Sequence, residues 1–315
     1  MKFRKIIKVL FSFIILIFLG CFVFHSIMLH KERDIFTPLG MTVNVNGHDM
    51  SIYVEGEGDK TLVFMSGSGT CSPILDFKSL ASRMSDEYKI VIIEKFGYGF
   101  SDVSGGSKDI DTMLSETRKA LEQAKVTGPY ILCPHSMSGI EALYWQQQHP
   151  NEVEAIIGLD MAVKETYKDF EPSTATLTIG SFAAKLGITR LLPGASESDA
   201  IKYGNLTEQE KKIYRAVFYR RTATKDMINE VKAIKKNAKK LVSPSNVTVP
   251  ILLFGSNGEG TGFEADYWCS SQQDFIRQVQ NGTFIQLDCS HYVHDIDYEK
   301  IAVIMKNYID KTYQL

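Results

Sequence analysis

The stretch from 130 to 139, Tyr-Ile-Leu-Cys-Pro-His-Ser-Met-Ser-Gly, constrains the chain more than any other. Residues 130–133 form a short apolar run of the kind that makes a buried parallel strand, and residues 140–149 read as a helix, so Ser136 falls on the turn between them. A sharp strand-to-helix turn brings neighbouring backbone segments together and needs small residues beside its apex. It also presents the apical side chain above the sheet, next to a helix N-terminus. The small positions here are Pro134 and Ser138, with Gly139 following. A serine in such a place is either a helix cap or a nucleophile, and the rest of the chain has to decide between them.

Strand and helix signals alternate on both sides of this stretch. Residues 41–45 and 50–55 flank Asn46-Gly47, whose positive φ suits a two-residue hairpin turn. Residues 61–65 and 89–94 read as buried strands, the first followed by Ser66-Gly67-Ser68-Gly69-Thr70 and the second by a run ending in Ser101-Asp102. An amphipathic helix is expected over residues 109–125, and Gly128-Pro129 breaks it before the central strand. Residues 155–159 form a further strand closed by Asp160. The strand pattern resumes at 249–254 and 283–287, with helices at 264–280 and 298–311. This order predicts an α/β protein with a mainly parallel sheet and an antiparallel N-terminal hairpin. Between residues 164 and 245 no strand run occurs. Met227, Val231, Ile234, Ala238 and Leu241 recur at helical spacing, so 164–245 reads as a helical insertion into a core of 41–163 and 246–315. Lys232, Lys235, Lys236, Lys239 and Lys240 cover its other faces and read as a solvated surface, with anionic lipid headgroups the alternative partner.

Residues 9–29 are apolar apart from Ser12, His25 and Ser26, and residues 1–8 carry Lys2, Arg4, Lys5 and Lys8. That length is close to the roughly 20 residues that cross hydrocarbon as a helix, and the basic flank predicts the N-terminus inside and the body translocated. A cleaved signal peptide would have a shorter apolar region ending at small residues, whereas Phe22-Val23-Phe24 continue the run. We therefore expect a retained anchor in the cell membrane, with residues 30–40 as a polar linker and the lipid bilayer as a partner; cleavage would instead give a secreted body. The chain carries 35 basic and 37 acidic residues. Setting the four basic residues of the N-terminal flank aside, the body is mildly acidic, which argues against nucleic acid as a partner. The five cysteines show no C-x-x-C pair or metal-ligand spacing, so neither a metal site nor a cofactor is expected. Cys71 and Cys133 are the pair to test first for a disulfide.

Four islands, taken in order, resemble the α/β-hydrolase superfamily over residues 41–315. Ser66-Gly67-Ser68 is similar to its His-Gly-x oxyanion loop, with serine for histidine. Residues 94–102 resemble its Asp-x-x-Gly-x-Gly-x-Ser stretch, with glutamate leading. His135-Ser136-Met137-Ser138-Gly139 resembles His-Ser-Met-Gly-Gly, and Ser290-His291-Tyr292-Val293-His294 resembles the terminal Gly-His-x-x-His. The helical insertion falls where this superfamily carries its cap. The resemblance implies acyl transfer, with Ser136 as nucleophile, His291 as base, and the N–H groups of Ser68 and Met137 as the oxyanion hole. His135 and His294 are expected to support the site by packing.

The superfamily's acid usually follows the penultimate strand as Gly-x-x-Asp, where this chain has Gly255-Ser256-Asn257-Gly258. Two carboxylates remain: Glu259, one residue further on, and Asp160, at the end of the strand after the nucleophile's. We favour Asp160, because a one-residue offset re-aims a side chain. The implied protein is a membrane-anchored serine hydrolase acting on an ester, thioester or amide of a small, largely apolar acyl substrate. The departures at Ser66, Ser138 and Gly258 keep open an alternative, a hydrolase-like sensor or binding module at the membrane.

Overall fold

A computed structural model describes residues 2–314. In chain order the elements are α1 (Lys2–Lys31), β1 (Met41–Val45), β2 (His48–Glu55), β3 (Thr61–Met65), α2 (Pro73–Met84), β4 (Lys89–Glu94), α3 (Ile110–Gln123), β5 (Tyr130–Pro134), α4 (Ser138–Gln148) and β6 (Val153–Leu159). They continue with α5 (Thr174–Lys185), α6 (Asp199–Lys202), α7 (Glu208–Arg221), α8 (Lys225–Ala238), β7 (Ile251–Gly255), α9 (Ala265–Gln278), β8 (Gly282–Gln286), α10 (Val293–Ile296) and α11 (Tyr298–Tyr313). The eight strands form one sheet in the order β1-β2-β4-β3-β5-β6-β7-β8. The pairs β1/β2 and β2/β4 are antiparallel and the rest are parallel. This is the α/β-hydrolase fold.

The apolar strand runs are continuous because both sheet faces are covered, and alternate residues divide between them. Val63, Met65, Val91, Ile93, Ile251 and Leu253 pack with α3, α4 and α9 residues such as Leu114, Trp145 and Phe275. Leu62, Phe64, Ile90, Ile92, Leu252 and Phe254 pack on the other face with Phe77 and Leu80 of α2 and Met305 of α11. The chain leaves β3 toward β4 on one side and returns past it to β5 on the other. Loops after β3 and β5 therefore diverge at a topological switch point, where open α/β sheets place their ligands.

Between β6 and β7 the chain forms helices and short 3-10 turns only. Leu206, Ile213, Tyr214 and Val217 of this segment pack on Leu75 of α2. Met227, Ile234, Ala238 and Leu241 are buried, while Lys235 pairs with Glu171, and Lys236 and Lys240 pair with Asp109. The α8 lysines are thus partly engaged within the chain.

Several expectations need correction. Helix α2 had no counterpart in the sequence reading. The first helix extends to both sides of residues 9–29, and the expected polar linker is packed rather than free: Ile35, Phe36 and Leu39 lie against the third apolar cluster, with Phe36 4.9 Å from Phe100 ring to ring. All five cysteines are free, so Cys71 and Cys133 are not bridged.

Leu253 is fully buried on β7, between β6 and the edge strand β8. Truncation there removes several methylenes and leaves a cavity, so Leu253→Ala is expected to lower unfolding free energy by roughly 2–5 kcal/mol. Urea titration of the detergent-solubilised chain checks this; a loss below about 1 kcal/mol would contradict the packing described.

Candidate active site

Ser136 lies just past the C-terminal end of β5 with φ +54°, a left-handed conformation rare for a residue with a side chain. Surrounding hydrogen bonds hold it there. The Ser136 carbonyl accepts from Ala162 N–H at 2.8 Å and from Gly139 N–H at 3.0 Å, and His135 N–H donates to the Met65 carbonyl at 2.9 Å. Gly139 is the residue on which close approach falls, since a Cβ there would sit 2.2 Å from the Ala162 carbonyl oxygen. Ser138 can therefore differ from glycine: its buried hydroxyl lies 2.6 Å from the Met65 carbonyl and 2.8 Å from that of His135.

His291 arrives on the loop after β8. Its Nε2 lies 2.8 Å from Ser136 Oγ, and its Nδ1 lies 2.6 Å from Asp160 Oδ2. Asp160 ends β6 with φ +49° and is fully buried. Its second oxygen accepts three hydrogen bonds, each of 2.9 Å, from Ser256 N–H, Trp268 Nε1 and Gln272 Nε2. Burial acts to raise its pKa, but the hydrogen bond and charge of His291 and the bonds from Ser256 outweigh it, leaving the value below the ordinary one. The structure thus brings Ser136, His291 and Asp160 into one hydrogen-bonded line.

Glu259 is not part of it. Its side chain is exposed, and only its backbone carbonyl touches the histidine, accepting from His291 N–H at 2.9 Å. The reason is local: Gly258, in the expected register of the acid, sits at φ +88° and turns the loop outward, while Ser256, two residues earlier, contributes an N–H to the carboxylate from β6.

The loop after β3 passes directly over the serine. A Cβ on Gly67 would lie 2.6 Å from Ser136 Cβ, so only glycine fits this close approach. Among the described residues, neither the Ser68 nor the Met137 backbone N–H has a protein acceptor, and Met137 is the N-cap of α4. Ser66, which replaces the expected histidine, is buried with its hydroxyl unpaired.

His135 is buried beside His291, ring centroids 4.5 Å apart. Burial first, then the neighbouring His291 and His294, hold its pKa well below the ordinary value, so it is neutral. With Nε2 3.2 Å from the His291 carbonyl, the single proton is placed on Nε2, where it braces the loop. His294 packs against Phe77, ring centroids 4.6 Å apart and tilted by 34°.

Sequence reasoning missed Trp268 and Gln272. Their spacing of four on the predicted helix was the available signal, since it puts two side-chain donors on one face. It also missed an aromatic run beside the imidazole: Trp268 meets His291 edge-on at 5.3 Å and stacks on Phe263, which contacts Phe170 and Tyr167.

One group among the described residues has the donor types and proximity for a metal ion: Asp76, His294 and Asp295, with ligand atoms within 4.8 Å of one another. Burial, then the charges of Asp76 and Asp199, push the Asp295 pKa well up, toward the neutral acid, and His294 Nε2 lies 3.8 Å from Asp76 Oδ2.

No family model matches the chain. It is 37% identical over 319 residues to the uncharacterized protein YbdG of Bacillus subtilis, covering 98% of each chain. Among solved structures it is similar to an esterase from Exiguobacterium antarcticum, with TM-score 0.63 and 16% identity over 86% of this chain and 100% of that one. It is likewise similar to an epoxide hydrolase from Bacillus megaterium, with TM-score 0.65 and 15% identity over 86% of this chain and 100% of that one.

Glu94 supports the site from the far side of the Gly67 loop. Its carboxylate accepts from Phe100 N–H at 2.8 Å and Ile74 N–H at 3.4 Å. Burial pushes its pKa up to about 7 from an ordinary 4.5, against the opposing pull of those N–H groups, Ser51 and Arg221. Between these two values the unfolded chain gives up the proton and the folded chain keeps it, so stability falls as pH rises through that window and levels off above it. Glu94→Gln cannot ionise and is expected to flatten this fall, measured by urea unfolding at pH 5 and pH 8. An identical pH slope in the variant and the wild type would contradict the burial assigned to Glu94.

Proposed function

Because the chain belongs to the family of the Bacillus subtilis protein YbdG and has the α/β-hydrolase fold, we propose that it is a serine hydrolase working through an acyl-enzyme on Ser136. The observation that carries this reading is the line Ser136 Oγ, His291 imidazole, Asp160 carboxylate, at 2.8 and 2.6 Å. Hydroxyls are poor nucleophiles at neutral pH and need a base within hydrogen-bond reach, and here the base is itself oriented by a buried anion.

In the first step Ser136 Oγ attacks the acyl carbon while its proton passes to His291 Nε2, and the carbonyl oxygen becomes an oxyanion. The N–H groups of Met137 and Ser68 are the donors that would receive this charge. The bond to the leaving group then breaks, the leaving atom taking the proton from His291, and the acyl group stays on Ser136. Water, deprotonated by His291, attacks the acyl-enzyme and releases the acid. Asp160 fixes the tautomer with Nδ1–H toward itself and stabilises the imidazolium that forms. A serine nucleophile suits an ester, thioester or amide. The aromatic run of Trp268, Phe263, Phe170 and Tyr167 beside the imidazole favours a small, largely apolar acyl group.

The N-terminal helix α1 is long and apolar enough to cross a membrane. We read it as a retained anchor with the basic N-terminus in the cytoplasm and the hydrolase body outside.

Ser136→Ala and His291→Ala are expected to lower kcat on a p-nitrophenyl ester by roughly 10⁴–10⁶-fold, and Asp160→Asn by about 10⁴-fold. Glu259→Gln should leave it unchanged. Labelling with a fluorophosphonate, absent in Ser136→Ala, separates this enzyme from a hydrolase-like binding module. A wild-type chain that resists the label, or an Asp160→Asn variant with full turnover, would overturn the assignment.

A further inference from the structure

The cap carries one helix whose surface is unlike the rest. From Pro172 to Ala184 there is no charged side chain, and in α5 only Ser181 and Ala184 are buried. Ile179 is 67% exposed and Phe182 57%, and just beyond the helix Leu191 is 57% and Leu192 55% exposed. By contrast, α8 carries Lys235 and Lys236, which pair with Glu171 and Asp109. An apolar helix face bare to water has to be covered, and what lies against this one indicates the cover.

The neighbour is α1. Phe18, in the middle of its apolar run, meets Phe182 ring to ring at 6.5 Å. Higher on α1 a polar joint locks the two together: Arg190 donates to both Glu32 oxygens at 2.8 and 2.6 Å and to His25 Nδ1 at 3.0 Å, and Arg220 donates to the Leu29 carbonyl at 2.9 Å. Arg190 and Glu32 are nearly buried against the protein, and such a charged pair belongs at headgroup level rather than in hydrocarbon. The joint therefore sets the outer boundary close to His25. From Lys8 to His25 the helix rises about 25 Å, close to the thickness of a hydrocarbon core with Lys8 reaching back to its own interface. Phe18 lies two turns below His25, about 10 Å inside that boundary, and Phe182 lies beside it.

We propose that α5 and the Leu191–Leu192 turn are immersed in the outer leaflet of the phospholipid bilayer, making the cap a second membrane-seated element beside the anchor. The depth matches the roughly 5–10 Å at which interfacial helices settle. Ile179, Phe182, Leu191 and Leu192 reach the acyl chains, and Lys185, at the end of α5, extends toward the headgroups. A cap seated this way opens the site toward amphiphiles held in the leaflet, so acyl esters of membrane lipids become the preferred substrate class over freely soluble esters. This rests on the reading that α1 remains attached as an anchor and, for the substrate class, on the hydrolase reading.

The test uses the full chain reconstituted into phosphatidylcholine vesicles, some made with phospholipid brominated on its acyl chains. Flotation first establishes that the chain is anchored. Tryptophan emission of Phe182→Trp and Leu192→Trp is then compared with the wild type, whose Trp145 and Trp268 are buried in the hydrolase core. Val242→Trp, at an exposed apolar position outside the proposed surface, is the control. We expect added emission from the Phe182 and Leu192 variants that is blue-shifted and quenched by the brominated lipid, with the Val242 variant unquenched. Vesicles that carry the protein while the Phe182 and Leu192 variants stay unquenched, or a Val242 variant quenched equally, would overturn the proposal with the anchor intact. A chain that does not float removes the anchor and the proposal together. As a second readout, Phe182→Glu should lower turnover of a vesicle-embedded monoacyl ester at least several-fold and leave hydrolysis of a soluble p-nitrophenyl ester unchanged. Equal effects on the two substrates would contradict the leaflet-held substrate class.

Discussion

A carboxylate with no access to water is tolerable only if its charge is met by donors on every side. Asp160 is in that position, and the arrangement of the C-terminal half of the sheet follows from satisfying it. Donors come from the loop after β7 through Ser256, from α9 through Trp268 and Gln272, and from the loop after β8 through His291. Each has to arrive at a fixed point above β6, which ties together elements 96 to 131 residues apart. The imidazole is held at the serine because its other nitrogen is one of the four groups this anion requires. Geometry at the nucleophile is in this sense a by-product of electrostatics at the acid.

The same view accounts for the departures from the usual motifs. Moving the acid from the loop after β7 to the end of β6 requires that loop to change from supplier of a carboxylate to supplier of an N–H. With serine at 256 and glycine at 258 it does so, through the Ser256 backbone. At the turn around Ser136 the tight contact is at Gly139, against the Ala162 carbonyl, so position 138 tolerates a hydroxyl that finds two carbonyls. In the loop after β3 the position where only glycine fits is Gly67, which is kept; Ser66 beside it has no such constraint.

Strand runs were legible because a strand covered on both faces leaves an unbroken apolar segment in the sequence, as residues 61–65 and 89–94 do. Ser136 was legible because it stands at the end of such a segment, and His291 because it falls in the loop after the last strand run. Helix α2 was not, since it begins at Ser72-Pro73 directly after a glycine-rich loop and buries residues of mixed character, Asp76 and Ser79 among them. The choice between Asp160 and Glu259 turned on backbone direction: φ values of +49° at Asp160 and +88° at Gly258 aim one side chain inward and carry the other out, and while glycine at 258 permits the second, an aspartate at 160 gives no sign of the first. Segment 30–40 read as a linker from its polar residues, while Ile35, Phe36 and Leu39, which pack against the body, are too few to show a period.

The cap is where the first helix and the site meet, and the contact is short. Arg220 donates to the Leu29 carbonyl of α1, Arg221 donates through Nε to the Gly99 carbonyl beside the Glu94 loop, and Thr222 Oγ1 lies 3.7 Å from Cys71 Sγ, next to the loop over Ser136. One residue on, the Ala223 carbonyl accepts from Ser181 of α5. Four consecutive residues at the end of α7 thus touch the first helix, two loops bordering the nucleophile, and α5 of the cap. A segment so placed cannot tilt without straining contacts on every side. The angle at which α1 leaves the body and the direction in which the serine faces are therefore not independent quantities but two consequences of one short stretch of backbone.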